Sequence, residues 1–266
     1  MPRMMINGAD LYYEDTGSGN ETVVFSHGLL WSCRMFDKQV EFLKDRYRVV
    51  TYDHRGQGQT AVTESGYDMD TLMQDAAELI ERLGIAPVHM AGLSMGGFVA
   101  MRLAARRPEL VKSLILIETS ADPEPAENVP KYKRLNTVAR WLGLRPVTGP
   151  VMKIMFGQTF LNDPTREEDR QYWKKQLLSN SRKGITRAVL GVTDRKGIYE
   201  ELGNIKCPTL IIVGDEDVAT VSTKSERIRD AIKGSQLVVI PRAGHTSTVE
   251  EPEAVTKAIN EFLTNL

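Results

Sequence analysis

Short apolar stretches rich in β-branched residues alternate along this chain with segments of helical character, and this alternation restricts the possible folds strongly. The stretches are Thr22–Ser26, Tyr47–Tyr52, Val88–Ala91, Leu114–Ile117, Thr209–Val213 and Leu237–Ile240. Most of them are apolar throughout, as in strands that are buried on both faces of a parallel sheet. The sequence therefore predicts an α/β fold with a mostly parallel, doubly wound sheet.

Several of the intervening helices have recognisable ends. Asp70 is the predicted N-cap of one helix, and Gly84 its predicted end. A second helix is expected to begin near Gly97 and to stop before Pro108. A third follows Pro252. Its predicted apolar face carries Val255, Ala258, Ile259 and Phe262.

The segment from Asp122 to Gly203 interrupts the alternation, because it shows no clear strand pattern and is rich in Lys and Arg. We predict a helical insertion over the end of the sheet, with the core formed by residues 1–121 and 204–266. Large apolar side chains in this segment, together with Trp31, are candidate substrate contacts, although such residues usually pack into a core. The candidates are Trp31, Trp141, Met152, Met155, Phe156 and Phe160, and Trp173 is a further apolar residue of the insertion.

Composition restricts the class of protein. The chain has 266 residues with 41% hydrophobic and 26% charged residues, which is ordinary for a globular domain. With 35 acidic and 34 basic residues, it offers no charge excess for nucleic acid or an anionic membrane. Neither a secretory signal in Met1–Asp10 nor a disulfide framework from Cys33 and Cys207 is expected. We therefore expect a cytoplasmic protein, and no pattern indicates its oligomeric state.

The sharpest functional motif is Gly92-Leu93-Ser94-Met95-Gly96, which follows one predicted strand and precedes a helix. A nucleophilic serine on such a tight strand-to-helix turn projects its hydroxyl from the edge of the sheet. The flanking glycines are needed because side chains there would collide with the turn. Ser94 is therefore the predicted nucleophile.

A serine hydroxyl needs a neighbouring base to take its proton, and the chain has 4 histidines. His89 lies inside a predicted buried strand, and His27 and His54 come directly after strands. His245 follows the last predicted strand and lies C-terminal to Ser94, in the order that this type of site requires. We predict His245 as the general base.

The acid that orients the histidine is less clear from the residues alone. Asp215, Glu216 and Asp217 follow the strand Thr209–Val213, and Glu118 follows a different strand. Asp217 is the best placed, because a residue a few positions beyond a strand can turn back over the sheet. Spacing by itself leaves the choice open.

The loop His27-Gly28-Leu29 follows the first predicted strand and can supply a backbone N–H to a developing oxyanion. The residue after the nucleophile supplies the second donor, so we predict the N–H groups of Leu29 and Met95 as the oxyanion hole. His27 is then expected to be a structural residue of this loop. The turn Tyr52–Gly58 lacks the Gly-Lys-Ser/Thr ending of a phosphate loop, which argues against nucleotide binding.

These motifs together resemble the α/β-hydrolase superfamily from about Tyr12 to Leu266. The matching tracts are Ser26-His27-Gly28, Asp53–Gly58, Gly92–Gly97, Gly214–Asp217, and Gly244-His245 followed by Glu250 and Pro252. The resemblance implies an α/β-hydrolase fold, Asp217 as the acid, and residues 122–203 as a cap domain. The elbow is most similar to the esterase and enol-lactonase branch, whereas dehalogenases and epoxide hydrolases of the family carry aspartate where this chain has Ser94. A proline often follows the acid loop in the family, and this chain has Val221 there.

The sequence thus predicts a serine hydrolase that cleaves a small-molecule carboxylic ester or lactone through an acyl-enzyme, without metal or organic cofactor. The same triad would also serve a lactonase for acyl-homoserine or other lactones, a carbon–carbon bond hydrolase, or a perhydrolase that differs around Leu29 to Trp31. The non-enzymatic alternative is a small-molecule receptor that retains the fold.

Overall fold

The computed structural model describes residues 2–266 and contains an 8-stranded sheet in the order β1-β2-β4-β3-β5-β6-β7-β8. The strands are β1 (Arg3–Ile6), β2 (Ala9–Asp15), β3 (Thr22–Ser26), β4 (Arg48–Tyr52), β5 (Val88–Leu93), β6 (Val111–Ile117), β7 (Thr209–Gly214) and β8 (Gln236–Ile240). In this order, each strand from β4 to β8 pairs in parallel with the next. Strand β2 pairs antiparallel with both β1 and β4. The predicted mostly parallel α/β sheet is confirmed.

The hairpin of β1 and β2 is absent from the sequence prediction. Its turn is Asn7-Gly8, and both residues have positive φ, 44° and 76°. An Asn-Gly pair between two strands is a strong local signal for this type of turn. The signal was therefore present in the sequence, and the hairpin adds an antiparallel edge to the sheet.

Helices cover both faces of the sheet. They are α1 (Asp37–Leu43), α2 (Met69–Leu83), α3 (Met95–Arg106), α4 (Val129–Leu142), α5 (Thr148–Met155), α6 (Gln158–Asn162), α7 (Glu167–Ser179), α8 (Arg182–Thr193), α9 (Ser222–Ala231), α10 (Ser247–Glu250) and α11 (Pro252–Thr264). One apolar core lies between the sheet and α2 and α3, and a second lies on the opposite face beneath α11 and the insertion. None of the helices in residues 2–266 is both long and apolar enough to cross a membrane.

Two predicted helix starts are wrong by two residues. The N-cap of α2 is Asp68, whose carboxylate accepts a hydrogen bond from the Thr71 N–H at 2.9 Å, because Asp68 has the extended backbone that a cap requires. Asp70 lies instead in the first turn and forms ion pairs with Arg102 and Arg106. Helix α3 likewise begins at Met95, directly after Ser94, and not near Gly97.

Five helices, α4 to α8, connect β6 to β7, and the described chain forms no strand between these two. This segment contains the predicted insertion, whose status as a separate cap domain stays a prediction. It packs over the carboxyl ends of the parallel strands through the second core. Any site at this edge of the sheet is therefore covered by helices.

The strand order reverses next to β3, because β4 lies on one side of it and β5 on the other. The chains leaving β3 and β5 therefore diverge at the carboxyl edge and leave a crevice between them, where α/β sheets commonly bind ligands. Leu29 follows β3 and Ser94 follows β5, so the topology brings both to this crevice.

Candidate active site

Ser94 occupies a strained turn between β5 and α3. Its φ of 52° is unusual for a residue with a side chain. The turn is held because the Ser94 N–H donates to the Ile117 carbonyl at 2.8 Å and the Thr119 hydroxyl donates to the Ser94 carbonyl at 2.9 Å. A Cβ atom at Gly92 would overlap the Gly96 carbonyl, and one at Gly96 would overlap the Ser26 carbonyl. Both glycines are therefore required by close backbone packing.

Three side chains form a continuous hydrogen-bonded chain at this turn. The Ser94 Oγ lies 2.8 Å from His245 Nε2, and His245 Nδ1 lies 2.8 Å from Asp217 Oδ2. Ser94 is 8% exposed, His245 3% and Asp217 6%, so solvent reaches little of this hydrogen-bonded network. The three residues are distant in the sequence: Ser94 follows β5, Asp217 follows β7 and His245 follows β8. This arrangement allows His245 to take a proton from Ser94 while Asp217 orients the ring.

The environment of Asp217 keeps its carboxylate ionised. Burial alone would raise the pKa of Asp217, but the facing His245 and the hydrogen bonds from Thr220 outweigh it and hold the pKa well below its usual range. Oδ1 accepts the N–H groups of Ala219 at 2.7 Å and Thr220 at 3.0 Å, and the Thr220 hydroxyl donates to Oδ2 at 2.6 Å. An ionised, immobilised carboxylate is what a protonated His245 needs as a partner.

The other acids of the same loop face elsewhere. An oxygen of Asp215 accepts the Arg242 N–H at 2.7 Å, and the Glu216 carboxylate accepts the Thr159 N–H at 2.8 Å. Both therefore anchor the loop to neighbouring segments. Of the candidates that the sequence left open on this loop, only Asp217 contacts His245.

Glu118, the candidate from the neighbouring strand, lies fully buried beside Asp217 and does not contact the histidine. Both of its carboxyl oxygens lie within 2.9 Å of the Gly214 nitrogen, which donates to them. Burial raises the pKa of Glu118 well above its ordinary value, and the charge of Asp217 raises it further. A neutral Glu118 that supports the acid loop is the consistent interpretation.

The loop after β3 carries the predicted oxyanion donor. Among the described residues, the N–H of Leu29 has no hydrogen-bond acceptor, whereas the flanking N–H of Leu30 donates to Gln57 Oε1 at 2.8 Å. Met95 is the first residue of α3, so its N–H is one of the unpaired donors at a helix start. Leu29 also lines the same cavity as Ser94. Both N–H groups are thus available to an oxygen bound next to Ser94.

His27 and Gln57 fix this loop from behind. The Nδ1 of His27 lies 2.7 Å from the Gly28 carbonyl, and its Nε2 accepts the His54 N–H at 2.9 Å. Both ring nitrogens of His27 are therefore engaged, one within this loop and one with the turn after β4, and burial lowers the pKa of His27. The sequence predicted no role for Gln57, although it lies in the tract Asp53–Gly58 that carries part of the family resemblance.

Glu250 supports the loop that carries His245. Its carboxyl oxygens accept the N–H groups of Gly244 and Thr246, on either side of the histidine, each at 3.0 Å. They also accept the N–H of Gly157, between α5 and α6, at 2.8 Å. Burial raises the pKa of Glu250 to about 7 in spite of these donors. This side chain therefore connects the histidine loop to the helical insertion.

We expect Glu250→Ala to lower the free energy of unfolding by about 3 kcal/mol, because three buried N–H groups lose their acceptor. The measurement is urea denaturation followed by circular dichroism. Glu253→Ala is the matched control, because Glu253 is an exposed acid near the start of α11, and its effect should stay within about 0.5 kcal/mol. Equal stability of the two variants would contradict this role of Glu250.

A cavity of about 130 Å³ lies between the triad and the helical insertion. Ser94 and His245 form its floor, and its walls are mostly aliphatic side chains from α4, α5 and α8. The described residues contain no cluster of three His, Cys, Asp or Glu side chains that could hold a metal ion. These walls would shield part of a substrate bound against Ser94 from water.

The predicted substrate contacts are only partly at this cavity. Met155 lines it, together with Val151 and Ile154 of the same helix. Met152 lies on the same helix but outside the arc formed by Val151, Ile154 and Met155, and Phe156 follows the helix with an extended backbone, so neither lines the cavity. Trp141 is 72% exposed at the end of α4. The structure therefore removes Trp141, Met152 and Phe156 from the cavity wall.

The remaining aromatic candidates form a packed cluster beside the cavity. Trp31 contacts Phe156 and Trp173 edge-to-face at ring distances of 5.7 and 5.3 Å, and Phe156 stacks on Phe160 at 4.6 Å. All four residues are buried, and none is on the cavity wall. Trp31 and Phe160, predicted as substrate contacts, therefore join the core that fastens the insertion to the sheet.

Comparison with known proteins agrees with this geometry. The sequence profile of the alpha/beta hydrolase fold family matches residues 21–252. An enol-lactonase from Burkholderia xenovorans superposes with a TM-score of 0.92 at 27% identity, covering 99% of this chain and 100% of that one. A thermophilic esterase from Thermogutta terrifontis gives 0.91 at 32% identity, covering 100% and 99%. A bromoperoxidase from Bacillus anthracis gives 0.87 at 26% identity, covering 99% and 100%.

Proposed function

Since this chain belongs to the alpha/beta hydrolase fold family, we propose that it is a serine hydrolase that cleaves small carboxylic esters or lactones. The observation that carries the proposal is the hydrogen-bonded chain from Ser94 through His245 to Asp217. Similarity to an esterase and to an enol-lactonase supports both kinds of substrate.

The proposed reaction proceeds in two steps. The Ser94 oxygen attacks the substrate carbonyl while His245 takes its proton, and the N–H groups of Leu29 and Met95 stabilise the resulting oxyanion. His245 then gives the proton to the leaving alcohol, which leaves an acyl group on Ser94. Water, activated by the same histidine, releases the acid and restores the serine.

The helical insertion, for which we propose residues 122–203 as a cap domain, would set the size of the substrate. The cavity of about 130 Å³ is comparable to one that holds a benzene ring, so it suits a short acyl group. Its mainly aliphatic walls favour an apolar group.

A direct test combines labelling with turnover. A fluorophosphonate should modify the wild-type protein at Ser94, and a screen of esters and lactones should show multiple turnovers per protein molecule. Labelling without turnover on any substrate would favour the receptor alternative. Activity that persists after complete labelling would contradict the proposed mechanism.

We expect kcat/KM to rise about fourfold for each methylene added to a short acyl chain, because each buried methylene contributes about 0.8 kcal/mol. The rise should stop when the cavity is full. Met155→Ala should move the optimum to longer chains, because this side chain lines the cavity. The measurement is kcat/KM against acyl length for the wild type and the variant.

Met152→Ala is the matched control for this series, because Met152 lies on the same helix but away from the cavity. Ratios between substrates are compared, so that a change in the folded fraction cancels. An unchanged optimum in Met155→Ala, or an equal displacement in Met152→Ala, would contradict the assignment of the acyl site.

Similarity to a bromoperoxidase makes hydrogen peroxide a second candidate nucleophile. Attack of peroxide on the acyl-enzyme, in place of water, would release a peracid and restore Ser94. Adding peroxide to an ester assay and titrating peracid separates the two outcomes. If only the carboxylic acid forms, perhydrolysis is contradicted and hydrolysis is unaffected.

A further inference from the structure

One part of the cavity wall is polar, in contrast to its aliphatic surroundings. Glu124, Tyr132, Asn136 and Arg195, which we term the polar wall, line the same cavity as Ser94. Tyr132 and Asn136 are four residues apart on α4 and therefore share one face of the helix. Arg195 follows α8, and its Nη1 lies 2.8 Å from Glu124 Oε2, the other acid on this wall.

Two buried groups of the polar wall have no hydrogen-bond partner within residues 2–266. The Asn136 amide donates to the Thr186 carbonyl at 3.0 Å, which leaves its Oδ1 without a donor. The Arg195 Nη1 is engaged by Glu124 and by the Val192 carbonyl, which leaves its Nε–H without an acceptor. Each of these two residues is only 8% exposed.

Buried polar groups without a hydrogen-bond partner are unusual in proteins. Nearly all buried polar side-chain atoms in proteins have one, because an unpaired group loses its hydration without compensation. Here an unpaired donor and an unpaired acceptor belong to residues of one wall, in a cavity that also contains the nucleophile. The two atoms themselves have almost no accessible surface, so a substrate group in this cavity would pair with them as the side chains of Asn136 and Arg195 turn toward it.

The charges and the donor pattern restrict the chemistry of that partner. Arg195 is already paired with Glu124, so a second carboxylate would meet the negative charge of Glu124 in a poorly hydrated space. A carboxylate also has no donor for Asn136 Oδ1. A hydroxyl or a primary amide both donates and accepts. The Tyr132 hydroxyl, whose pKa burial and nearby carboxylates raise to about 12, stays protonated as an additional donor.

We propose that the polar wall is a subsite for a neutral hydrogen-bonding group, a hydroxyl or a primary amide, that the substrate carries at a distance from its scissile bond. This inference rests on the proposed ester or lactone hydrolysis at Ser94, and it narrows the substrate class to molecules with a second polar function. A site built to pair such a group discriminates against the analogue that lacks it, because its own polar atoms then stay unpaired.

The test uses ethyl esters of increasing acyl length, each with a terminal methyl, hydroxyl, primary amide or carboxylate. A second series carries the same groups on the alcohol portion. In at least one series, the wild type should prefer a hydroxyl or amide version over the methyl version by roughly tenfold in kcat/KM. The preference should fall toward one in Tyr132→Phe and in Asn136→Leu.

Tyr172→Phe is the control, because Tyr172 is 43% exposed on α7 and lies away from this cavity; the preference should persist in it. Circular dichroism checks the fold of Asn136→Leu, which also loses its bond to Thr186, while Tyr132→Phe keeps the ring. A preference for the methyl versions in both series, or one that survives in both variants, would overturn the proposal. A preference for the carboxylate would overturn the assignment of a neutral group.

Failure of this inference is distinguishable from failure of the proposed function. If methyl-terminated esters are hydrolysed and Ser94 is labelled by a fluorophosphonate, but no neutral polar group is preferred, only the subsite is wrong. If no ester or lactone is turned over and Ser94 is not labelled, the proposed function itself fails, and the subsite fails with it.

Discussion

Ser94→Ala is expected to lower kcat by about a millionfold on any ester or lactone that the wild type hydrolyses, because no other group can form the acyl-enzyme. The fold should be unaffected. Alanine retains the Cβ atom, so the backbone turn with a φ of 52° is no more strained than with serine. The measurements are steady-state kinetics and the circular dichroism spectrum of the variant.

Ser113→Ala is the matched control for this substitution. Ser113 is also a buried serine with a histidine partner, since its Oγ lies 2.8 Å from His89 Nδ1. It lies near the start of β6, at the opposite end of the strand from the active site. Its replacement should leave kcat near the wild-type value. Substantial turnover by a folded Ser94→Ala protein would show that the nucleophile is a different residue.

Asp217→Asn should lower kcat by roughly ten-thousandfold while the substrate still binds. The amide presents an N–H to His245 Nδ1 in place of an acceptor, which favours the wrong tautomer of the ring. It also removes the negative charge that stabilises the protonated histidine. The loss should appear in kcat more than in KM, because neither the cavity wall nor Ser94 changes.

Two neighbouring acids provide controls. Asp215→Asn removes a loop anchor at Arg242 and should cost far less activity. Glu118→Gln should cost less than about tenfold, because a neutral glutamine can replace a protonated carboxyl, accept the Gly214 N–H and donate toward Asp217. A larger loss in Asp215→Asn would show that Asp215, and not Asp217, is the acid that orients His245. A loss confined to Glu118→Gln would assign that role to Glu118 on the neighbouring strand.

Local sequence patterns were sufficient to predict most strands of the sheet. Buried parallel strands such as Thr209–Val213 are continuously apolar, and each pattern lies within a few residues, so the sequence alone predicts them. The start of α2 was misplaced, because Asp68 and Asp70 both precede the helical pattern and only the backbone conformation distinguishes them. The hairpin at Asn7-Gly8 was missed although its turn signal was present.

The catalytic candidates were accessible from sequence to different degrees. Ser94 lies in a motif whose glycine spacing is what the tight turn of a nucleophilic serine requires. His245 was selected because it is one of few histidines and follows Ser94 in the chain. Residues alone left the acid open, and it was the family resemblance that selected Asp217. In the structure only Asp217 of these acids contacts His245, because the loop after β7 turns one carboxylate inward and two outward.

What the sequence by itself determined is therefore the kind of sheet, the motif that carries the proposed nucleophile, and the loops that bear its proposed partners, since each is encoded in a few consecutive residues. Only the tertiary structure decided which side chains of the insertion meet the cavity. Met155 lines it and Met152 does not, a difference that depends on the rotation of one short helix. The polar wall likewise joins residues from a loop, from α4 and from the end of α8. No local pattern places Glu124, Tyr132 and Arg195 together, because their proximity results from how the helices pack.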